Sequence, residues 1–289
     1  MRQLNNSIKT YSVTLGSSSL TQSAKQIPNY GSVQGLDFRL TVALAGATAS
    51  VDSDTIDRVI ESLTIETNKG KTIANLTGTD LPIIQTVLSP IGQRTAVPEV
   101  ATDSSGNGSA TYSTFIPMSI SAADMPAVVK VQFAAASSLV SSTLTSTGTA
   151  TVTFDLRASY STSKIDTVFV KASNPPVADG ENALAPYLPQ GLECRSVVMW
   201  LGSGGDADLT YVTLEQNGAA LLSRQPTWSF ENDDNALMVS GHLSGEIILR
   251  VPVFTVDSTT VLNVDLGTAG TPVRLYRFAA RPQKNTSGA

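Results

Sequence analysis

The sequence predicts an all-β protein built from two tandem β-sandwiches of about eight strands each. Three observations lead to this prediction. Segments in which apolar and polar residues alternate are common, whereas helical periodicity is scarce. Clusters of glycine, asparagine and serine separate these segments at intervals of roughly ten residues, as in sandwiches and barrels. The second half of the chain also repeats the first as an ordered series of strand-like segments.

The repeat comprises six pairs of strand-like segments in the same order in both halves. Identity between the copies is slight, but the polarity of the paired segments agrees. The offset shrinks along the chain, so the first copy has the longer loops. The pairs are YSVTL from Tyr11 with TVFVK from Thr167, GLDFRLTVAL from Gly35 with GLECRSVVMWL from Gly191, ESLTIETNKG from Glu61 with TYVTLEQNG from Thr210, FIPMSI from Phe115 with LRVPVF from Leu249, VVKVQF from Val128 with VLNVDL from Val261, and ATVTFDLRASY from Ala150 with PVRLYRFAAR from Pro272.

Alternation also defines the strands one by one. TATVTFDL from Thr149 places Val152, Phe154 and Leu156 on one face, and in Ile60–Ile65 the apolar residues Ile60, Leu63 and Ile65 lie among polar ones. A period of two, with β-branched residues, is typical of strands that pack on one side. Predicted turns separate the strands at Asn68–Gly70, Ser104–Gly108, Gly202–Asp206, Asn217–Gly218 and Gly267–Gly270.

The longer connections are predicted as follows. Leu81–Leu88 and Asn235–Val239 are helical turns or apolar loops, and each follows the same strand pair of its half. Ser159–Lys164 is the predicted linker, and Lys171–Tyr187 is a proline-rich loop just inside the second copy. Loops at matching places in both halves strengthen the prediction of a duplication.

Length and composition agree with two domains and a neutral surface. The 289 residues suffice for two domains of ordinary size, predicted as residues 1–160 and 161–289. Charged residues make up 15%, against about 25% in an average protein, and serine, threonine, glycine and alanine replace them. Such a surface favours contact with other subunits, and a merely Ser/Thr-rich solvent-exposed surface is the alternative.

Charge and cysteine usage exclude several classes of protein. The net charge is -5 and the basic residues are scattered singly, so we expect no direct binding of nucleic acid. Cys194 is the only cysteine, which excludes an intramolecular disulfide, and we predict it to be a buried small hydrophobe. We find no apolar stretch typical of a signal peptide or a membrane span, and expect synthesis and folding in the cytoplasm.

No catalytic residue or cofactor site is predicted. A zinc site, a Ser-His-Asp triad or a Cys-His dyad would have to use His242 or Cys194, and nothing in the sequence places their partners. We predict His242, in SGHLSG, to be a solvated turn residue, with a general base or metal ligand as the alternative. The glycines Gly202, Gly204 and Gly205 superficially resemble a phosphate cradle, but neither Lys-Ser/Thr nor a helix follows, which indicates a hairpin turn.

Two acidic segments resemble calcium loops, but neither has the glycine and terminal glutamate of an EF-hand. We predict both to be solvated turns and no metal site, with a bound cation as the alternative. The segments are Asp52, Asp54 and Asp57 in VDSDTID, and Glu231, Asp233 and Asp234 in ENDD.

The scarcity of aromatic residues argues against a carbohydrate-active enzyme. Paired carboxylates on different strands leave no spacing signature, so the sequence alone does not exclude glycoside hydrolysis. Aromatic residues make up only 6% of the chain, which leaves few platforms for stacking sugars. We predict Trp200 and Trp228 to be core or subunit-contact residues.

The repeated strand order, together with low charge and no visible site, resembles the double jelly-roll major capsid proteins of tailless icosahedral viruses. The small versions from bacteriophages with an internal membrane are most similar. The resemblance covers Tyr11 to Arg281 and rests on strand order without a diagnostic motif. YLPQGLECRSVVMWL from Tyr187, with the following GSGGD turn and TYVTLEQNG hairpin, looks most like the opening of a second jelly roll.

The resemblance implies a structural, non-enzymatic role in the shell of a virion. It implies a homotrimer whose six jelly rolls form a pseudo-hexagonal capsomer, with neighbouring capsomers and minor capsid or penton proteins as partners. The N-terminal arm with Arg2 and Lys9, and the C-terminal tail with Arg281 and Lys284, are candidates for contacts with neighbours or with an internal membrane surface. Ends without a role are the alternative.

Three other functions remain open at this point. The first is a virion spike, fibre or adhesin whose sandwiches bind a receptor or a glycan. The second is a carbohydrate-active enzyme, which needs carboxylates that converge in a cleft. The third is a single jelly-roll capsid subunit with an appended β domain, in which case the repeat is accidental.

Overall fold

The computed structural model describes residues 4–88, 95–140, 144–200, 209–226, 229, 246–249, 254–267 and 273–281. The chain forms two compact units, Met1–Thr167 and Val168–Ala289. The predicted domain boundary after residue 160 lies next to the end of the last strand of the first unit and stays a prediction.

The first unit contains two antiparallel sheets. One has the strand order β1-β9-β4-β7. The other has the order β6-β5-β8, and the short strands β2 and β3 both pair with the far side of β8. The strands are β1 Leu4–Thr14, β2 Leu20–Thr21, β3 Lys25–Ile27, β4 Ser32–Ala47, β5 Ile60–Thr67, β6 Thr72–Leu76, β7 Gly108–Ile116, β8 Ala127–Phe133 and β9 Leu144–Ser161.

The second unit has a similar arrangement of strands. One set of strands has the order β10-β18-β12-β15, and β16 also pairs with β12. The other sheet has the order β11-β17-β13-β14. The strands are β10 Val168–Ser173, β11 Gly180–Ala183, β12 Glu193–Trp200, β13 Leu209–Gln216, β14 Ala219–Pro226, β15 Glu246–Leu249, β16 Phe254–Thr255, β17 Val261–Leu266 and β18 Arg274–Ala280.

The two units share a pairing scheme that covers eight strands of each. The order β1-β9-β4-β7 corresponds to β10-β18-β12-β15, and β6-β5-β8 with β2 corresponds to β14-β13-β17-β11. The described residues of the six predicted segment pairs fall on equivalent strands of this scheme, while residues 250–253 lie outside the described residues. The chain is therefore an all-β double jelly roll, and the predicted fold class is confirmed.

Alternation along the strands produces the core of each unit. In β9 the side chains of Val152, Phe154 and Leu156 are fully buried, and Phe154 lies at the centre of an aromatic cluster. Its ring centroid is 5.9 Å from that of Phe38 and 6.2 Å from that of Phe133, so the cluster joins the two sheets of the first unit. The second unit has its own cluster of buried hydrophobic residues, which includes Leu214, Val264 and Leu275.

Three short α-helices have bounds that lie wholly within the described residues, and they belong to the connections of the first unit. They are α1 Ser53–Ile56, α2 Asp80–Leu88 and α3 Ser137–Val140. The predicted helical turn at Leu81–Leu88 is thus confirmed as α2. Its first residue, Asp80, accepts a hydrogen bond from the Thr77 backbone N–H at 2.7 Å, as in a capping box. The corresponding segment Asn235–Val239 lies outside the described residues.

Two predictions about connections are wrong in part. The predicted linker Ser159–Lys164 begins inside β9, because Ser159 and Ser161 still pair with β4 and are buried. The predicted loop Lys171–Tyr187 contains the end of β10 and all of β11, which pairs with β17. The partner strands come from distant parts of the chain, so the local sequence carries no sign of these pairings.

Candidate functional site

The first acidic segment has a different environment from the one predicted. Asp52 is exposed before α1, but Asp57 is buried, with 7% of its surface accessible. A Cβ atom on Gly78 would lie 1.7 Å from the Asp57 carbonyl oxygen, so the backbone of this segment packs closely against the Gly78 turn. The prediction of a solvated turn is therefore wrong for Asp57. Among the described side chains, no group of three His, Cys, Asp or Glu residues could hold a metal ion.

The other predicted site residues of the second half lie largely outside the described residues. This applies to His242, Trp228, the glycines Gly202, Gly204 and Gly205, and the acidic residues Glu231, Asp233 and Asp234. Trp200 is described and is half-buried at the end of β12. The predicted turn at Asn217–Gly218 is confirmed, because both residues have positive φ angles, of 52° and 73°, between β13 and β14.

Cys194 is buried in β12, as predicted. Its Sγ lies 3.6 Å from the Ser196 carbonyl oxygen, and burial raises the pKa of the thiol to about 11. A thiol with this pKa stays protonated at neutral pH, and its burial keeps reagents away. Cys194 is therefore a core residue and not a nucleophile.

Arg277 is a buried cation that the sequence analysis did not single out. It lies on β18, is 1% exposed, and its Nε donates to the Lys171 carbonyl oxygen at 3.0 Å. Its Nη1 donates to the Tyr187 carbonyl oxygen. Burial lowers the pKa of the guanidinium to about 10, so it is charged at neutral pH. The contact with Tyr187 joins β18 to the turn before β12, and the contact with Lys171 adds to the pairing of β18 with β10. Both contacts give Arg277 a structural role.

Two shallow depressions lie on the first unit. One, of about 600 Å³, is lined by Arg58, Glu61 and several serine and threonine residues. The other, of about 520 Å³, contains Asp37, Arg39, Asp155 and Arg157. Asp155 accepts hydrogen bonds from Thr10 Oγ1 at 2.8 Å and Arg157 Nε at 3.3 Å. Both depressions are open, and neither has the enclosed shape that is usual for a ligand-binding cleft.

The outward face of the sheet β1-β9-β4-β7 has an unusual composition. Apart from one end, it carries short neutral side chains in register across the four strands, and Thr41 Oγ1 lies 2.8 Å from Thr111 Oγ1. We call it the threonine face. Its neutral part consists of Thr10, Ser12, Thr14, Thr41, Ala43, Ser109, Thr111, Ser113, Thr151 and Thr153. Its charged end consists of Asp37, Arg39, Asp155 and Arg157, with the exposed ring of Phe115 beside them.

The outward face of the other sheet of the same unit differs. It carries long charged and amide side chains, which pair across strands β5 and β8. Lys130 Nζ lies 2.8 Å from Glu66 Oε2, and Gln132 Nε2 donates to Glu61 Oε2 at 2.8 Å. This is the ordinary composition of a sheet face exposed to water.

The outward face of the sheet β11-β17-β13-β14 in the second unit is acidic. Glu181 and Asp265 lie directly opposite each other, and Asn263 donates a hydrogen bond to Glu181. The Arg224 guanidinium lies 4.1 Å from the centroid of the Tyr211 ring. We call this surface the acidic face, defined by Glu181, Tyr211, Glu215, Arg224, Asn263 and Asp265.

Comparison with known proteins yields matches among solved structures. No model of a known protein family matches the chain, and neither does any curated protein. A chain from the atomic structure of Sulfolobus Turreted Icosahedral Virus matches with a TM-score of 0.67 at 12% identity, over 97% of this chain and 90% of that one. The major capsid protein P2 from Bacteriophage PM2 matches with a TM-score of 0.55 at 10% identity, over 96% and 99%.

A further match extends the range of similar structures. A chain of the PBCV-1 virus capsid has a TM-score of 0.59 at 7% identity, over 97% of this chain and 94% of that one. At such low identity these matches concern the fold. They confirm, at that level, the resemblance to double jelly-roll major capsid proteins. None of the described helices has both the length and the apolar character needed to cross a membrane.

The sequence analysis missed the three sheet faces, although it noted their composition. Threonines at alternate positions of TATVTFDL and the low charge of the chain were the available signals. Which residues share a face across strands depends on register, and partners such as Thr41 and Thr111 are far apart in the sequence. No local spacing could have brought them together.

Proposed function

We propose that the chain is the structural major capsid protein of an icosahedral virion shell. The observation that carries the proposal is the double jelly roll, matched along almost the full length of solved chains that include the major capsid protein P2 from Bacteriophage PM2. On this proposal the two jelly-roll domains are residues 1–160 and 161–289, the protein is located in the virion capsid, and its role is structural and not enzymatic.

We further propose that three copies form a pseudo-hexameric capsomer. Because each copy contributes two sandwiches with the same strand order, a three-fold trimer places six similar bodies in a ring. Such a unit has the shape that tiles a curved shell through contacts with its neighbours. Neighbouring capsomers and minor capsid or penton proteins are the proposed partners, together with an internal membrane surface near the chain ends.

The low charge of the chain supports contacts between subunits. Charged residues make up 15% of the sequence, and the threonine face is neutral over most of its length. Burying neutral, short side chains costs less desolvation and less side-chain entropy than burying lysine or glutamate.

Size-exclusion chromatography with light scattering tests this proposal. We expect a stable species of about three times the chain mass of 30.2 kDa, which assembles further as the concentration rises. A persistent monomer that binds a glycan would contradict the proposal and support the spike or adhesin function instead.

A further inference from the structure

The threonine face and the acidic face suggest how one copy of the chain contacts the next. The inference rests on the proposed function, because it assumes that copies of the chain assemble. It begins from the contrast between the two sheets of the first unit. Both sheets expose one face. Long charged and amide pairs such as Lys130 and Glu66 cover one of these faces, whereas charged residues of the threonine face are confined to one end.

Size and shape make the threonine face suitable as an interface. Strands β4 and β9 have 16 and 18 residues, well beyond the usual strand length of up to about ten. At a rise of about 3.4 Å and a spacing of about 4.8 Å, the four strands offer roughly 900 Å². A standard protein interface buries about 800 Å² on each partner. The face is therefore large enough, and its short side chains lose little freedom on contact.

The charged end of the threonine face contains two cations, Arg39 and Arg157, which differ in their partners. Arg157 pairs with Asp155, with 3.3 Å between Nε and Oδ2. Arg39 lies opposite Asp155 and is exposed, but no ion pair within the described part of the chain involves Arg39. Its guanidinium is available for a carboxylate of another molecule.

The acidic face contains two carboxylates that lie next to each other. Glu181 and Asp265 are directly opposed on β11 and β17, and like charges at such positions repel each other. Within the described residues no lysine or arginine forms an ion pair with either carboxylate. Arg224, the described cation of this face, is stacked on Tyr211. A guanidinium supplied by another molecule would relieve the repulsion between Glu181 and Asp265.

We propose that the threonine face docks onto the acidic face of a second copy of this chain, with Arg39, at the charged end of one copy, between Glu181 and Asp265 of the next. This contact joins different surfaces of the two copies. Contacts of that kind repeat head to tail and close into a ring when the rotation between copies allows it. Each copy then uses both surfaces, and no copy in the ring has a free one.

A charge exchange tests the proposal. Arg39→Glu and Asp265→Arg each place like charges in the contact, so each single variant should weaken self-association by about tenfold or more. The double variant Arg39→Glu with Asp265→Arg restores opposite charges and should recover most of the wild-type association. Lys69→Glu, in the exposed turn between β5 and β6, carries the same charge change as Arg39→Glu and should associate like the wild type. Light scattering across a concentration series gives the association, and thermal melting checks folding.

The outcomes separate this contact from the proposed function. Wild-type protein that assembles, with single variants that also assemble normally, would overturn the contact and leave the capsid function standing. The contact would also be overturned if the single variants lose self-association and the double variant associates no better than either of them. Wild-type protein that stays monomeric at every concentration would overturn both. A second variant, Thr41→Lys, inserts a long cation into the neutral part of the face and should weaken association. At a protein concentration too low for the wild type to associate, the melting temperatures of the variant and the wild type should be close to each other.

Discussion

Replacing Phe154 by alanine tests the packing on which the first jelly roll depends. Phe154 is fully buried in β9, and its ring centroid lies 6.3 Å from that of Tyr11, 5.9 Å from that of Phe38 and 6.2 Å from that of Phe133. A buried Phe→Ala change costs about 3–5 kcal/mol. Because three aromatic contacts are lost together, we expect the upper end, about 4–5 kcal/mol. The neighbouring change Thr153→Ala, on the outward face of the same strand, should cost less than about 0.5 kcal/mol.

Urea unfolding followed by circular dichroism measures both variants. With a slope of about 2 kcal/mol per M, Phe154→Ala should lower the unfolding midpoint of the first unit by roughly 2 M. All samples need one protein concentration, because self-association stabilises the folded state by mass action. Both tryptophans, Trp200 and Trp228, belong to the second unit, so their fluorescence follows that unit separately. Equal costs for the two changes, or a cost below about 1 kcal/mol for Phe154→Ala, would refute the assigned register of β9.

Three further predictions concern single residues. Burial raises the pKa of the Cys194 thiol from its ordinary value of 9.0 to about 11, so the folded state favours the protonated thiol. The stability of the wild type relative to Cys194→Ala should be constant below about pH 9 and fall by roughly 2 kcal/mol by pH 11. A difference that stays flat with pH would contradict this. Thr167→Val removes two hydrogen bonds of Oγ1, which donates to Asp124 Oδ2 at 2.6 Å and accepts from the Ser121 N–H at 2.8 Å. In urea unfolding this change should lower the free energy of unfolding by about 2–3 kcal/mol. Thr167→Ser retains the hydroxyl group and should keep most of the stability. Gly78→Ala places a Cβ 1.7 Å from the Asp57 carbonyl oxygen and should lower the free energy of unfolding by about 3 kcal/mol. Gly16→Ala is the matched control, because no atom lies within 4 Å of its Cβ. Equal melting temperatures for the two variants would be inconsistent with the close packing at Gly78.

Much of the fold was predictable because strands with one buried face alternate in the sequence. TATVTFDL identified β9, and the order of the segments identified the second unit as a repeat of the first. The buried arginine could not be predicted in this way. Arg277 reads as a surface cation in RLYRFAA, and it is buried because the carbonyl oxygens of Lys171 and Tyr187, from distant segments, accept its N–H groups.

The candidate surfaces were predictable in composition but not in position. The low charge indicated a neutral surface, yet nothing in the sequence indicated that short side chains would collect on the sheet that contains β4 and β9. That outcome depends on the pairing of β4 with β9 and β7, which places Thr41 beside both Thr153 and Thr111. Likewise, the sequence around Asp57 predicted a solvated acidic turn. The close packing of the Asp57 backbone against the turn at Gly78 could not be predicted from that local sequence.

Electron cryomicroscopy of the purified, concentrated protein tests the central claim most directly, that this double jelly roll is the building block of a virion shell. We expect closed shells or hexagonal arrays whose repeating unit has six similar lobes, contributed by three chains. Separate single chains at every concentration, or assemblies whose units lack six similar lobes, would contradict the claim.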